Sequence, residues 1–207
     1  MILALARKTL FPAALVAAAF LYGAVGPGAS PALALDETPA SEAALNGARS
    51  LSIGQMRRLI VHKEPKPFVA TQFKDEAGER LTLADFKGEI VLVNLWATWC
   101  APCKKEMPSI DRLGERLNGQ PFRIVAISVD RGDAIEKAKR FLSEEIEARH
   151  LDFYIDETFT LPREAGAVGL PTSFLIDRAG NEVARITGDA EWDSAEAVAV
   201  IERLLEN

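Results

Sequence analysis

Seven residues, Ile90-Val91-Leu92-Val93-Asn94-Leu95-Trp96, run almost without a polar break and give way within seven positions to two cysteines, Cys100 and Cys103. A strand this apolar needs cover on both faces, so it belongs in a sheet with helices on either side. A second such run, residues 122–129, follows a segment carrying Met107, Ile110, Leu113 and Leu117 at helical spacing, and the three together predict a βαβ unit. Residues 133–146 repeat that spacing with Ile135, Ala138, Leu142 and Ile146, and residues 151–155 supply another strand. Residues 173–177 and 183–187 bracket Arg178-Ala179-Gly180-Asn181, a turn that predicts an antiparallel hairpin. A final helix, capped by Asp193 or Ser194, turns Ala197, Val198, Ile201, Leu204 and Leu205 inward. This order predicts an α/β fold built on a mixed sheet.

The 207 residues suit one medium domain with an added element. Residues 1–34 read as a signal peptide or membrane anchor. Arg7 and Lys8 precede an uncharged stretch, residues 10–25 are its most apolar part, and Ala32-Leu33-Ala34 resembles a cleavage site; the length suits either outcome. Both cations stay cytoplasmic by the positive-inside rule, so the remainder is expected to face outward. Residues 35–67 read as a linker and an amphipathic helix. Residues 36–46, small and acidic, need not pack, and Ile53, Met56 and Ile60 place the helix at residues 51–62, ended by Pro65 and Pro67. The domain proper spans residues 68–207, opening with a hairpin whose strands, residues 69–73 and 80–83, flank Lys74-Asp75-Glu76-Ala77-Gly78-Glu79.

Charge and composition narrow the chemistry. The formal net charge is −6, and −8 once Arg7 and Lys8 are set aside, which argues against nucleic-acid partners. Two cysteines allow one intrachain disulfide and no disulfide scaffold, and two histidines do not make a His-rich metal site. No metal and no cofactor is expected.

The Trp99-Cys100-Ala101-Pro102-Cys103 segment lies where a buried strand meets a helix. At the helix N-cap, unpaired N–H groups and the positive end of the dipole favour a Cys100 thiolate, while Cys103 is shielded in the first turn. Cys100 is therefore the attacking thiol and Cys103 the resolving one, and together they form a redox-active disulfide. Pro102 stiffens the loop where no N–H is needed, and Pro108 is expected to bend the helix. Two plainer readings are an inert disulfide, which closes too small a loop to stabilise much, and half of a zinc site, which lacks ligands. Trp96 and Trp99 suit either a substrate face or simple packing.

The run from Leu95 to Pro108, together with Gly169-Leu170-Pro171-Thr172, resembles the thioredoxin superfamily. More narrowly, it resembles the extracytoplasmic TlpA/ResA-like branch and is closest to TlpA; residues 46–67 and Glu191-Trp192-Asp193-Ser194 carry that likeness. The resemblance implies a thioredoxin fold with an N-terminal hairpin and helix extension. It implies a periplasmic thiol:disulfide oxidoreductase, a protein-disulfide reductase, tethered to the inner membrane or released by cleavage and re-reduced by a membrane electron donor. The implied partners are disulfide-bearing proteins of cytochrome c maturation or cytochrome oxidase copper-centre assembly. It also implies that the Leu170–Pro171 bond is cis, that Leu170 backbone groups pair with an extended substrate, and that Glu106 influences cysteine protonation. On the residues alone Pro171 is an ordinary loop proline, and Glu106, one turn past Cys103, is either a solvated charge near a helix start or, if partly buried, a proton acceptor. Asn94 departs from the buried aspartate of cytoplasmic thioredoxins and cannot titrate, so a buried base acting on Cys103 must be Glu106 or water. The alternative function is a thioredoxin-fold copper(I) chaperone using both thiolates, although the wider cysteine spacing and distal histidine of such carriers are missing. A peroxidase is set aside because Ala97, three residues before Cys100, is not threonine.

Overall fold

The computed structural model describes residues 36–206, so the predicted signal or anchor segment lies outside the described residues. Eight strands form one mixed sheet: β1 (Ile60–Pro67), β2 (Phe73–Asp75), β3 (Arg80–Leu81), β4 (Ile90–Trp96), β5 (Phe122–Ser128), β6 (Tyr154–Ile155), β7 (Thr172–Ile176) and β8 (Asn181–Thr187), in the order β1-β8-β7-β4-β5-β6-β2-β3. The helices are α1 (Glu42–Leu51), α2 (Ala101–Arg116), α3 (Ala134–Arg140), α4 (Thr160–Glu164) and α5 (Ala195–Leu205). Residues Phe141–Glu145 extend α3 as a widened π turn.

The apolar run behaves as its sequence requires. All seven residues of β4 are buried, and they alternate between two cores. Ile90, Leu92 and Trp96 pack with residues of α1, α2, α3 and α5 on one face; Val91, Val93 and Leu95 pack with Leu161 of α4, Ala165 just beyond it, Phe73 and Phe174 on the other. β4 and β5 pair in parallel, with α2 as the crossover, while β7 runs antiparallel to β4 and returns through β8. The predicted βαβ unit and both hairpins are present, but β2 begins at Phe73, where the expected strand ends, and takes Lys74 and Asp75 from the expected turn, while β3 is shorter than expected. Ser194, rather than Asp193, caps α5, its Oγ accepting from Ala197 N.

The N-terminal portion differs from expectation. The helix lies at Glu42–Leu51 instead of residues 51–62, and residues 40–48 are not a loose tether: Ala40, Ala44, Leu45 and Ala48 are buried. Ser41 Oγ accepts from Ala44 N and starts α1, and the small residues that resembled a linker let the helix lie close against α5. A Cβ at Gly47 would meet the side chain of Arg203. Of the three residues that suggested a helix, Met56 is buried in a 3-10 turn, but Ile53 and Ile60 are exposed. Ile60 opens the edge strand β1, paired with β8; Pro65 is tolerated because it falls in the irregularity between Val61 and Lys66. The short helix α4 had no periodic signal and was not expected. It follows Phe159, whose φ of 58° is left-handed.

Candidate functional site

β4 delivers the site. Beyond Trp96 the chain turns through residues 97–99 and enters α2 with Cys100 at the N-cap. Asp130, buried just past β5, fixes that turn: Thr98 N donates to its Oδ2 at 2.9 Å and Thr98 Oγ1 to its Oδ1 at 2.8 Å. Ser128 Oγ donates to Asp130 Oδ2 at 2.9 Å, and Val129 N donates to Trp96 O at 2.9 Å.

Cys100 and Cys103 form a disulfide with Cα atoms 5.3 Å apart. Cys100 is 6% exposed and Cys103 wholly buried, so the first cysteine of the pair is the one that borders the surface. Cys103 N donates to Cys100 Sγ at 3.2 Å, the N-cap interaction expected of the first cysteine. Trp99 is 67% exposed beside Cys100, on the surface rather than in the core that encloses Trp96. The Thr172–Leu95 pairing of β7 with β4 brings the segment before β7 to the same end of the sheet. There the Leu170–Pro171 bond is cis, Leu170 is half-buried and Pro171 buried.

Glu106 lies one turn beyond Cys103 on the inner face of α2 and is 2% exposed, which excludes the solvated reading. Its Oε1 accepts from Asn94 Nδ2 at 2.8 Å and its Oε2 from Ala190 N at 2.9 Å. Burial dominates its protonation, raising its pKa to about 7 against the two hydrogen bonds that favour the ionised form. Asn94 also donates to Ser173 Oγ at 2.9 Å, so the amide links β4, β7 and α2. Ser109, on the far side of Pro108, donates to Glu106 O at 2.8 Å and accepts from Trp192 N at 3.0 Å. α2 continues past Pro108 to Arg116.

Sequence reasoning singled out the cysteines, Glu106, Leu170, Pro171 and Trp99, and the structure gathers all six around the ends of β4 and β7. It did not find Asp130, Ser109 or the loop that supplies Ala190. The signal for Asp130 was present: a polar Ser128-Val129-Asp130 ending to an otherwise apolar strand. His62, without a visible partner in the sequence, bonds Glu182 at 2.6 Å across β1 and β8, away from the cysteines. Among the described residues no group of three or more His, Cys, Asp or Glu side chains is arranged to hold a metal, and no helix is long and apolar enough to cross a membrane.

Comparison with known proteins places this geometry. The Redoxin family model matches residues 63–202. The thiol-disulfide oxidoreductase ResA of Bacillus thuringiensis is 34% identical over 141 residues, covering 67% of this chain and 76% of that protein. The thiol:disulfide interchange protein DsbE of Pseudomonas aeruginosa is 34% identical over 117 residues, covering 56% and 61%. Among solved structures, a thiol:disulfide interchange protein DsbE from Chlorobium tepidum superposes with a TM-score of 0.61 at 27% identity, covering 68% of this chain and 96% of that one. The narrower likeness to TlpA rests on the sequence motifs alone.

Proposed function

The chain belongs to the Redoxin family as a ResA-like thiol-disulfide oxidoreductase, and on that premise we propose that it is a dithiol reductant of protein disulfides outside the cytoplasmic membrane. The observation that carries this reading is the asymmetry of the pair: Cys100 at the helix N-cap and bordering the surface, Cys103 buried behind it.

In the reduced protein the Cys103 N–H and the first turn of α2 favour a Cys100 thiolate. That thiolate attacks one sulfur of a partner disulfide. The partner's S–S bond breaks, a mixed disulfide forms, and the partner's second sulfur leaves as a thiolate that takes a proton from water. Cys103 then loses its proton to Glu106, poised by its raised pKa and its place one turn away. The Cys103 thiolate attacks Cys100 Sγ, breaking the bond between Cys100 and the partner and closing the Cys100–Cys103 disulfide; the partner's remaining sulfur leaves as a thiolate that takes a proton from water, so the partner is released as a dithiol. Two electrons have passed to the partner, and a dithiol donor at the membrane returns them by the reverse exchange. Trp99 and the Leu170–Pro171 segment border the place where an extended partner segment meets Cys100, with Leu170 backbone groups available for strand-like pairing.

The finer assignment is to partners of cytochrome c maturation or oxidase copper-centre assembly, in the periplasm, with residues 1–34 as the export signal or tether. It is supported by the export-type composition of those residues and by the resemblance of the motifs. The test is capture in the native membrane with Cys103→Ser, which stalls the exchange at the mixed disulfide. The expected result is covalent recovery of a maturation protein, lost in Cys100→Ser. Reductase activity persisting in Cys100→Ser would overturn the mechanism, and recovery of unrelated proteins only would overturn the partner assignment.

A further inference from the structure

Arg58 lies in the segment between α1 and β1, apart from α2, which carries Cys103 and Glu106. Its guanidinium donates from Nη1 to Thr187 O at 3.0 Å and from Nη2 to Asp189 O. These carbonyls flank Gly188, which has a φ of 86° and whose absent Cβ would stand 2.7 Å from Arg58 Nη1. Glycine at 188 therefore permits both the backbone turn and the approach of the guanidinium. Gly188 N in turn donates to Pro171 O at 2.8 Å.

The Asp189 carbonyl and the Ala190 N–H belong to one peptide group. Its oxygen takes the hydrogen bond from Arg58, and its N–H donates to Glu106 Oε2 at 2.9 Å. One peptide thus stands between an arginine of the N-terminal extension and the buried carboxylate. A cation bonded to a peptide oxygen draws electron density from the nitrogen, so its N–H becomes a stronger donor, and successive hydrogen bonds reinforce one another.

We propose that Arg58 is a positioning residue for Glu106, holding and polarising the Asp189–Ala190 peptide so that the ionised carboxylate is favoured. The proposal rests on the reading of Glu106 as proton acceptor for Cys103. Other groups also face this carboxylate. Asn94 bonds it from β4 and favours ionisation; the Asp189 carboxylate opposes it. Lys105 pairs with Asp189 at 3.5 Å and tempers that opposition. Trp192 borders it ahead of α5, and Cys103 precedes it on α2. Arg58 is itself exposed, so its influence travels through the contact rather than through an unscreened field.

The experiment uses the full chain with ¹³C-labelled glutamate carboxyls, the Glu106 resonance being identified by its loss in Glu106→Gln. The expected result is that Arg58→Gln raises the Glu106 titration midpoint by about half a pH unit or more, while Arg58→Lys, which keeps the charge, restores part of the shift. Thermal unfolding checks that both variants keep the fold, and Arg58→Lys alone carries the comparison if Arg58→Gln does not. A Glu106 midpoint unchanged in folded Arg58 variants overturns the proposal. The release of a small aromatic thiol from the mixed disulfide is followed across pH in parallel. A release profile unmoved by Glu106→Gln overturns the proton-acceptor reading, while a shifted midpoint in Arg58→Gln still supports the hold of Arg58 on the carboxylate.

Discussion

Asn94 and Glu106 meet at 2.8 Å across the interface of β4 and α2, the amide donating from Nδ2 and the carboxylate accepting at Oε1, both side chains buried. Asn94 Oδ1 has no partner of its own. The pair therefore suits either protonation state of Glu106. An ionised carboxylate takes the amide N–H, and after a flip of the amide a protonated one can donate to Oδ1. A buried aspartate at residue 94 would repel a charged Glu106; asparagine cannot.

Burial of Glu106 makes the oxidised protein pH-sensitive. Its pKa is raised from the ordinary 4.5 to about 7, so the folded state holds a proton over a range where the unfolded chain has released it. Stability from this group is full below the unfolded value and declines as pH rises from about 4.5 to about 7, by on the order of 3 kcal/mol. Glu106→Gln, which can donate to a flipped Asn94 and accept from Ala190 N, is expected to remove most of that decline. Urea unfolding at pH 5 and pH 8 measures it; an equal decline in the variant refutes the assignment to Glu106.

Unequal access to the two sulfurs sets the order of their reactions. In the reduced protein, iodoacetamide at neutral pH is expected to modify Cys100 at least about tenfold faster than Cys103, because N-cap donors favour its thiolate and the surface reaches it. Peptide mapping after short exposure reads the ratio directly. Preferential labelling of Cys103 would reverse the roles.

The sequence was most legible where one residue's chemistry and one element's period agreed. The apolar β4, the inner face of α2 and the cysteines at their junction were read correctly because burial on two faces and helical spacing leave few alternatives. Residues 36–62 misled because alanine and glycine carry weak periodic signal. The packing of α1 depends on how closely Ala44 and Ala48 approach α5, which only the tertiary structure decides. Glu106 could be named from a resemblance, but its hydrogen bond to Ala190 spans 84 residues, a separation no local pattern encodes. Asp130 was hidden for a related reason, since its partner Thr98 is 32 residues away on another strand's exit.

If α1 is part of the domain rather than a tether, its core contacts must support the fold. Leu45 is 1% exposed and lies in the same core as Trp96 and Ile201. Leu45→Ala is expected to cost about 2–4 kcal/mol, the range for a buried leucine leaving a cavity. Denaturant unfolding measures the loss. A cost under about 0.5 kcal/mol, typical of surface sites, would show that the segment does not pack as described.

Asp130 offers a test of how the turn before Cys100 is held. Its carboxylate accepts from the Thr98 N–H, the Thr98 hydroxyl and the Ser128 hydroxyl, and alanine would leave all three without that partner. Asp130→Ala is expected to destabilise the protein by on the order of 2–4 kcal/mol. Because Thr98 lies two residues before Cys100, it should also slow attack by Cys100 on a model disulfide several-fold. Asp130→Asn separates geometry from charge. Its oxygen can accept from Thr98 N and Ser128 Oγ while its amide donates to Thr98 Oγ1, so the network survives with one hydrogen bond reversed. The asparagine variant is expected to stay within about 1 kcal/mol of the native protein and to keep its rate of attack. Equal losses in both variants would assign the effect to the negative charge instead of the hydrogen-bond geometry, and full activity in Asp130→Ala would mean the turn is held by the Val129–Trp96 backbone bond and the strand pairing alone.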